Sequence, residues 1–374
     1  MKFVIPSTEL LTHLQLMGRV MNSKNTMPIL DYILLQLKGG KLTLMASDLE
    51  TTLISQVDVP SVQEEGSVAV PRMMMETLKE FPEQPITIVV NPSSYIIELT
   101  WATGKANIPG FNPQDFPAIP ELKGSATRIS FAAQALNEGI GKTVFATASD
   151  ELRPVMNGVY FDLSGDHATF VASDAHKLVR YRRLDVKAKD KAAFILPKKP
   201  AALLRNILVK EQNGVEVAFD EKNASFSLSG YKLVCRLIEG SFPAYNSVIP
   251  TENPNKATVD RLELLTVVKR IATLAPAGTS LIRVKLAQNQ LTISAQDIDF
   301  SYSGTERMTC QYDGDEMEIG FKSSFLIEIL MNLSSQEVML EFSDPSRAGL
   351  ILPVGEASEN EETLMLLMPM MINA

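Results

Sequence analysis

"KLTLMASDLETTL", from Lys41 to Leu53, reads as a strand that ends in a turn at Ser47-Asp48, and it recurs. "HATFVASDAHKLV" starts at His167 and "QLTISAQDIDFSY" at Gln290, each with an aspartate in eighth place: Asp48, Asp174 and Asp297. The aspartates stand 126 and 123 residues apart. Small or apolar residues alternate ahead of each one: Leu42, Leu44, Ala46; Ala168, Phe170, Ala172; Leu291, Ile293, Ala295. A period of two puts each set on one face of a strand. Three copies in one register at nearly equal spacing constrain the chain to a fold built three times. A chain of 374 residues, at roughly 100–200 residues per domain, has room for that number.

Other landmarks keep the spacing. Leu10, Leu136 and Leu264 each open an apolar helical pattern. The first continues at Leu14, Met17 and Met21, the third at Val268, Ile271 and Ala275. The second, with Ile140 and Val144, is weaker because Gly139 and Gly141 interrupt it. A second helix is expected after a short strand in "VAVPRMMMETL", "FILPKKPAALL" and "EIGFKSSFLIEIL". Met74, Leu78 and Phe81 form one stripe, Leu203, Leu204, Ile207 and Leu208 the next, Leu326, Leu330 and Leu333 the last. Pro71 and Pro197 fit a first helical turn, where a missing N–H does no harm. Phe116 and Phe242, 126 residues apart, each head a proline-rich segment, and "NPQDFPAIPELKGSATR" and "IPTENPNKA" read as linkers. The expected domains are residues 1–125, 126–252 and 253–374. Each holds two helices among many short strands, an α+β arrangement, and a sheet with both helices on one face buries both stripes. Three such units joined head to tail form a curved array. Contacts of that kind either close into a ring or run on as a filament. Only two lie within the chain, so the outer ends of the first and third domains are free to join another chain.

The chain is 45% apolar and 21% charged, ordinary for a globular protein. No run of about 18 apolar residues marks a membrane span. "MKFVIPSTELL", interrupted by Pro6 and Glu9, makes a poor signal peptide. Cys235 and Cys310 are too far apart for a metal-ligand cluster or a disulfide framework. A reduced, cytoplasmic protein is expected. The net charge of −9 by itself argues against nucleic acid, but a ligand meets one face rather than the whole surface. Arg72, Lys198 and Lys322 follow the strand before each second helix, 126 and 124 residues apart, and Lys199 reinforces the second copy. A cation there opposes the helix dipole by roughly 0.3–1 kcal/mol. Three such placements point to an external anion, with phosphate foremost because helix-end amides also favour it. The plain alternative is that lysine and arginine are common on surfaces. Arg19, Lys24, Lys79, Lys142, Arg153, Arg205, Lys210, Lys269 and Arg270 also fall on helices or their end loops. Acidic residues concentrate in "SVQEEG", "YDGDEMEIG" and "EASENEE". A basic helical face and an acidic outside reconcile the net charge with a DNA ligand.

Catalytic signatures are weak. "LNEGIGKT" ends like a nucleotide-binding loop, but that motif needs glycine where Leu136 stands and a preceding strand. Of His13, His167 and His176, only His176, just after the Asp174 turn, is placed as a general base, and no nucleophile accompanies it. A contact role fits it better. The three aspartates fit turn caps better than metal ligands. No cofactor or metal is expected. The apolar ending "TLMLLMPMMINA" is either a final core strand or, with Pro369 stopping the pairing, a surface where Met370 and Met371 line a pocket. Flexible thioethers suit a pocket that accepts several peptides.

The threefold repeat, "VASDAHKL", "SFPAYNSVIP" and "LMLLMPM", in this order and spacing, resemble the bacterial DNA polymerase III beta subunit family, the sliding clamps, over the whole chain. The resemblance implies the DNA-clamp fold: antiparallel sheets and two helices in each of three similar domains. It implies a head-to-tail homodimer closed into a ring, with helices lining the hole. Such a protein is a non-catalytic processivity factor. Double-stranded DNA passes through it, held topologically and without sequence readout. Replicative DNA polymerase, clamp loader and other proteins with a clamp-binding motif dock in a hydrophobic cleft. Carried over residue by residue, DNA contacts fall at Lys24, Arg72, Arg153, Lys198, Lys199 and Arg205. The cleft takes Met156, Ser173, Ala175, His176, Lys177, Leu178, Pro243 and Val248 from the second domain. Leu366, Leu367, Met368, Pro369 and Met370 complete it from the tail. The subunit contact sets Ala106 and Ile108 against Thr273 and Leu274. The chain departs from the family pattern at Ala175, commonly glycine, at Met371, commonly arginine, at Ala106, often aromatic, and in the extra "INA". Two other readings are a scaffold that uses the Met-rich cleft without encircling DNA, and a hydrolase built around His176. Particle mass separates ring from scaffold, because a closed ring of six domains needs two chains.

Overall fold

A computed structural model describes residues 1–25, 27–355 and 360–372. Part of the acidic "EASENEE" stretch (356–359) and the last two residues of "INA" lie outside the described residues. The first repeat runs β1 (Lys2–Pro6), α1 (Ser7–Gly18), β2 (Tyr32–Lys38), β3 (Lys41–Ser47), β4 (Thr51–Asp58), β5 (Ser61–Glu64), β6 (Gly66–Pro71), α2 (Arg72–Lys79), β7 (Pro85–Val90), β8 (Ile96–Trp101) and β9 (Gly104–Pro109). The second runs β10 (Thr127–Ala132), α3 (Ala133–Thr143), β11 (Gly158–Leu163), β12 (Ala168–Ser173), β13 (Lys177–Arg183), β14 (Ala192–Pro197), α4 (Lys198–Leu208), β15 (Gly214–Phe219), β16 (Asn223–Leu228) and β17 (Tyr231–Arg236). The third runs β18 (Asn255–Asp260), α5 (Arg261–Ala272), β19 (Leu281–Ala287), β20 (Gln290–Asp297), β21 (Tyr302–Thr309), β22 (Met317–Lys322), α6 (Ser323–Met331), β23 (Glu337–Phe342), β24 (Gly349–Val354) and β25 (Glu361–Leu367).

The helices form where the apolar stripes lie. α1 buries Leu10, Leu14 and Met17, and α5 buries Leu264, Val268 and Ile271. Asp260 caps α5 by accepting from the amide of Glu263 at 2.8 Å, which satisfies a donor the helix itself cannot. α3 forms despite Gly139, and Phe170 on β12 explains why that glycine is there. A Cβ at Gly139 would lie 2.6 Å from the Phe170 ring. The prolines correct one expectation. Pro71 is extended (φ −75°, ψ 159°) and ends β6, and Pro197 ends β14. Their fixed φ suits a strand end as well as a first helical turn, and Pro200 is the proline inside the first turn of α4.

The chain forms two compact units, each with two antiparallel sheets. The first unit, Met1–Gln134 with Ala202–Leu237, holds sheets in the orders β5-β1-β7-β8-β9 and β10-β15-β16-β17-β4-β3-β2-β6. The second, Ala135–Ala201 with Ile238–Ala374, holds β14-β11-β12-β13-β25-β24-β23-β18 and β21-β20-β19-β22. The units cut across the repeats because two pairings join strands of neighbouring repeats. β17 pairs with β4, Leu233 opposite Leu53, and β13 pairs with β25, Val179 opposite Met365. Each of these two seams makes one eight-stranded sheet from two four-stranded halves.

The three aspartates are turn caps. Asp48 Oδ1 accepts from the amides of Glu50 and Thr51 at 3.1 and 2.6 Å. Asp174 accepts from His176 and Lys177, both at 2.9 Å. Asp297 accepts from Asp299 and Phe300 at 3.1 and 3.3 Å. Leu49 (φ 75°) and Ala175 (φ 73°) hold left-handed backbone in the first two turns. The third turn is two residues longer: Ala46 pairs with Leu53 and Ala172 with Val179, but Ala295 pairs with Gly304.

Candidate functional site

Leu178 on β13 lies opposite Leu366 on β25. Both are buried in an apolar cluster with Val171, Tyr245, Leu350 and Leu364, on the sheet face turned away from the helices. The segment after β17 folds onto this face. Phe242 stacks on Tyr160 with ring centroids 4.8 Å apart, and the Tyr245 hydroxyl donates to Asp162 at 2.9 Å. Burial pushes the Tyr245 phenol pKa up, and Asp162 adds to the rise. A short 3-10 helix, Tyr245–Val248, follows, and it leaves Val248 55% exposed with Pro243 exposed nearby. The result is an apolar floor with an apolar rim. Met156 is half-buried at the end of another 3-10 helix, whose Val155 would lie 2.9 Å from a Cβ at Gly240. That contact holds it near the start of the same segment.

The tail is pinned at two points. The amide of Met368 donates to His176 O, and that of Met370 to Gly320 O, both at 2.8 Å. Pro369, which has no N–H to satisfy, sits between them. Gly320 permits the second contact, since a Cβ there would lie 2.7 Å from Met370 O. Met368 is 41% exposed next to the buried Leu366. On the turn, Ser173 Oγ accepts from Ala175 N at 3.1 Å and donates to Lys177 O at 2.9 Å, leaving Ala175 and His176 exposed. The His176 ring stacks on Phe325 of α6, with centroids 5.5 Å apart. The Lys177 ammonium is buried between Asp174 (2.6 Å) and Glu328 (3.0 Å), 4.5 Å from the Phe325 centroid. Burial works against the Asp174 carboxylate. The Lys177 ammonium and the amides of Lys177 and His176 outweigh it and hold the pKa below the usual carboxylate range.

One expected wall residue belongs elsewhere. Leu367 packs into the core beneath α5 and α6 with Val179, Phe321 and Phe342. The period of two that turns Leu366 toward the floor turns Leu367 to the opposite face. Sequence reasoning also missed Phe325, Tyr160 and Tyr245. Tyr245 lies inside the quoted "SFPAYNSVIP"; Phe325 lies off the Leu326–Leu330 stripe, and nothing local marks it.

Lys24, Arg72, Arg153, Lys198 and Arg205 are exposed and Lys199 is half-buried. Arg72 and Lys198 open α2 and α4 as their spacing requires. Lys322, their counterpart before α6, instead lies 4.9 Å from the Phe325 centroid, so the third copy serves the aromatic cluster. Arg153 pairs with Asp150 at 2.9 Å. Lys142, at the end of α3, pairs with Glu361 at 3.1 Å and covers the Tyr181 ring. "GKT" is therefore a helix end and not a phosphate loop. β9, carrying Ala106 and Ile108, and β21 each end their sheets. Thr273 and Leu274 follow α5, and Leu274 fills the space a side chain at Gly304 would need. No helix among the described residues is long and apolar enough to cross a membrane.

Models of the DNA polymerase III beta subunit match three stretches in order: N-terminal domain at residues 1–120, central domain at 130–244, C-terminal domain at 246–371. The beta sliding clamp of Pseudomonas putida is 28% identical over 378 residues, 99% of this chain and 100% of the relative. That of Synechocystis is 27% identical over 381 residues, 95% of this chain and 96% of the relative. A crystal structure of the sliding clamp (DNA polymerase III subunit beta) from Pseudomonas aeruginosa superposes with a TM-score of 0.93 at 26% identity, covering 100% of both chains.

Proposed function

The chain belongs to the DNA polymerase III beta subunit family, and from that premise we propose that it acts as a ring-shaped sliding clamp that encircles duplex DNA and tethers its polymerase. The match of all three repeats, in order, to clamp domains carries this reading. Its domains are residues 1–125, 126–252 and 253–374. Two chains join head to tail through Ala106 and Ile108 of one and Thr273 and Leu274 of the other. Lys24, Arg72, Arg153, Lys198, Lys199 and Arg205 offer charge to phosphates without reading bases. The clamp is non-catalytic and cytoplasmic, and takes no metal or cofactor. Replicative polymerase, clamp loader and other partners insert a short apolar peptide beside Leu178, Leu366, Val248 and Met368. The exposed apolar rim over a preformed floor supports this, and the stacking of His176 on Phe325 supports a contact role for that histidine.

Topology gives the test. A protein that grips phosphates directly loses affinity steeply with salt, by about 0.9 log units per phosphate neutralised per decade of salt. A closed ring is retained whatever the salt. Loaded onto nicked circular DNA by an ATP-driven loader, the protein stays through a salt wash and leaves once the circle is cut. Changing Arg72, Lys198 and Lys199 together to alanine weakens direct binding and slows loading, yet leaves loaded rings trapped. Retention on linearised DNA with unblocked ends defeats encirclement.

A further inference from the structure

Beyond the leucine floor, the same face of β13 changes character. Leu178, Arg180 and Arg182 alternate with Val179, Tyr181 and Arg183 along the strand. Both Arg180 and Arg182 therefore stand on the face of the peptide cleft, while Tyr181 and Arg183 turn the other way to bond Glu138 of α3. Arg180 lies between Val171 and Leu364, and Arg182 between Thr169 and Glu362. Neighbours on one face of a strand are about 7 Å apart, so an extended peptide that reaches Leu178 reaches Arg180 within a few residues. Ala46 pairs with Leu53 as Ala172 pairs with Val179, which gives Arg180 and Arg182 the places of Ile54 and Gln56 in the first seam. The repeated backbone does not require arginine there.

The two guanidiniums are short of acceptors. Both side chains are half-buried. Glu362 pairs with Arg182 at 3.2 Å. Asp162, in the row of Thr169 and Arg182, accepts from the Tyr245 hydroxyl instead. Arg180 has the side-chain oxygen of Asn246 at 3.3 Å, and no carboxylate among the described residues pairs with it. The Nε atoms of both arginines and the hydroxyl of the fully buried Thr169 have no hydrogen-bond partner among the described residues. Burial pushes the Arg180 pKa down, and the neighbouring Arg182 charge adds to the fall. A half-buried charge in this condition lacks its counter-ion.

We propose that Arg180 and Arg182 form an anion subsite that extends the peptide cleft and takes the carboxylate of an aspartate or glutamate flanking the apolar anchor of a docked peptide. The proposal rests on the cleft described above and adds a charge to what it selects. The subsite is continuous with the rim: Asn246, which touches Arg180, and Val248 share the 3-10 helix Tyr245–Val248, and both are exposed. Its direction is fixed as well. The amide of Met368 donates to the carbonyl of His176, just ahead of β13, and the strand runs from there past Leu178 to the arginines. The acidic residue therefore lies on the side of the anchor away from the Met368 tail. A planar guanidinium offers a carboxylate two parallel N–H bonds, which a neutral amide of the peptide cannot match.

Three peptides with one apolar anchor test this on the full-length protein by fluorescence anisotropy. One is neutral, one carries an aspartate two residues before the anchor, and one carries it two residues after. One placement sets the carboxylate beside Arg180 and tightens binding about three- to tenfold over the neutral peptide at low salt. The advantage shrinks as salt rises, and Arg180→Gln removes it. Glu362→Gln frees Arg182 and widens the advantage, a gain that misfolding cannot imitate. Equal affinity of the three peptides leaves Arg180 a strut for Asn246 and overturns the subsite, as does an advantage that survives Arg180→Gln. An advantage unchanged by Glu362→Gln removes Arg182 from the subsite. Failure of the neutral peptide to bind, or binding unaltered in Leu178→Thr, defeats the cleft itself, a result distinct from these.

Discussion

The β4–β17 seam and the β13–β25 seam share one backbone register and differ in what stands on the face turned away from the helices. In the second seam that face carries Leu178, Leu366, Leu364, Leu350 and Leu352, covered by Phe242, Tyr245 and Ile249. The matching places in the first carry Thr52, Val234, Lys232, Ser225 and Ser227. The linker there, Ile119–Leu122, borders a groove of about 490 Å³ that also meets Arg128 and Glu216. In both seams the linker borders this face, and side chains decide what each can hold. An apolar peptide gains roughly 1.5–3 kcal/mol for each large side chain it buries on the leucine floor. On the first face it meets hydroxyls and charges that lose water without gaining partners.

Removing residues 368–374 strips the second seam of the tail wall that the first never had. Peptide affinity, read by fluorescence anisotropy, falls about a hundredfold or more, two apolar contacts at about 1.5 kcal/mol each, and sedimentation still finds the dimer. Loss of the dimer with affinity unchanged refutes the assignment. Leu178→Thr gives the second floor the residue of the first and weakens peptide binding about tenfold, whereas Thr52→Leu creates no site.

The two turns differ in charge as well. Asp174 holds the buried Lys177, where the first turn holds Thr51. Because the folded pKa of Asp174 lies below its unfolded value of about 3.9, its stabilisation is present above about pH 4. It is lost as pH falls through the folded pKa. Asp174→Asn destabilises the protein at pH 7 by chemical denaturation, and the gap to the parent protein narrows as pH falls below about 4. A gap that does not narrow with falling pH rules out the charge as its source. The smallest effect is shared by both turns. Ala175→Gly and Leu49→Gly each relieve left-handed strain of about 1–2 kcal/mol, less about 0.5–1 kcal/mol of glycine entropy. A net gain of about 0.5–1 kcal/mol raises the melting temperature slightly.

Much of this was legible because it is local. Asp48, Asp174 and Asp297 bond to amides two and three residues ahead, so their spacing alone identified three turns. The helical stripes at Leu10 and Leu264 marked α1 and α5 for the same reason. Pro71 and Pro197 were read one residue into the helix, because a fixed φ does not tell a strand end from a helix start. Gly139 looked like a flaw in α3, since its purpose is the ring of Phe170, 31 positions on. Leu367 was grouped with Leu366 although strand alternation separates their faces. Phe325, which meets His176, Lys177 and Lys322, carried no local signal.

The sequence by itself determined the number of repeats, the places of their strands and turns, and the apolar stripe each helix buries. Periods of 2 and 3.6 are set by the backbone and need no distant partner. Only the tertiary structure decided which strand edges meet and which remain open. Only it decided which cations are committed: Lys142 to Glu361, Lys177 to Glu328, Lys322 to Phe325, but Arg72 and Lys198 exposed. For Lys142 and Lys177 the deciding carboxylates lie more than 140 residues along the chain. A charge reads the same in sequence whether it meets solvent or a buried carboxylate, and folding alone brings the partner within reach.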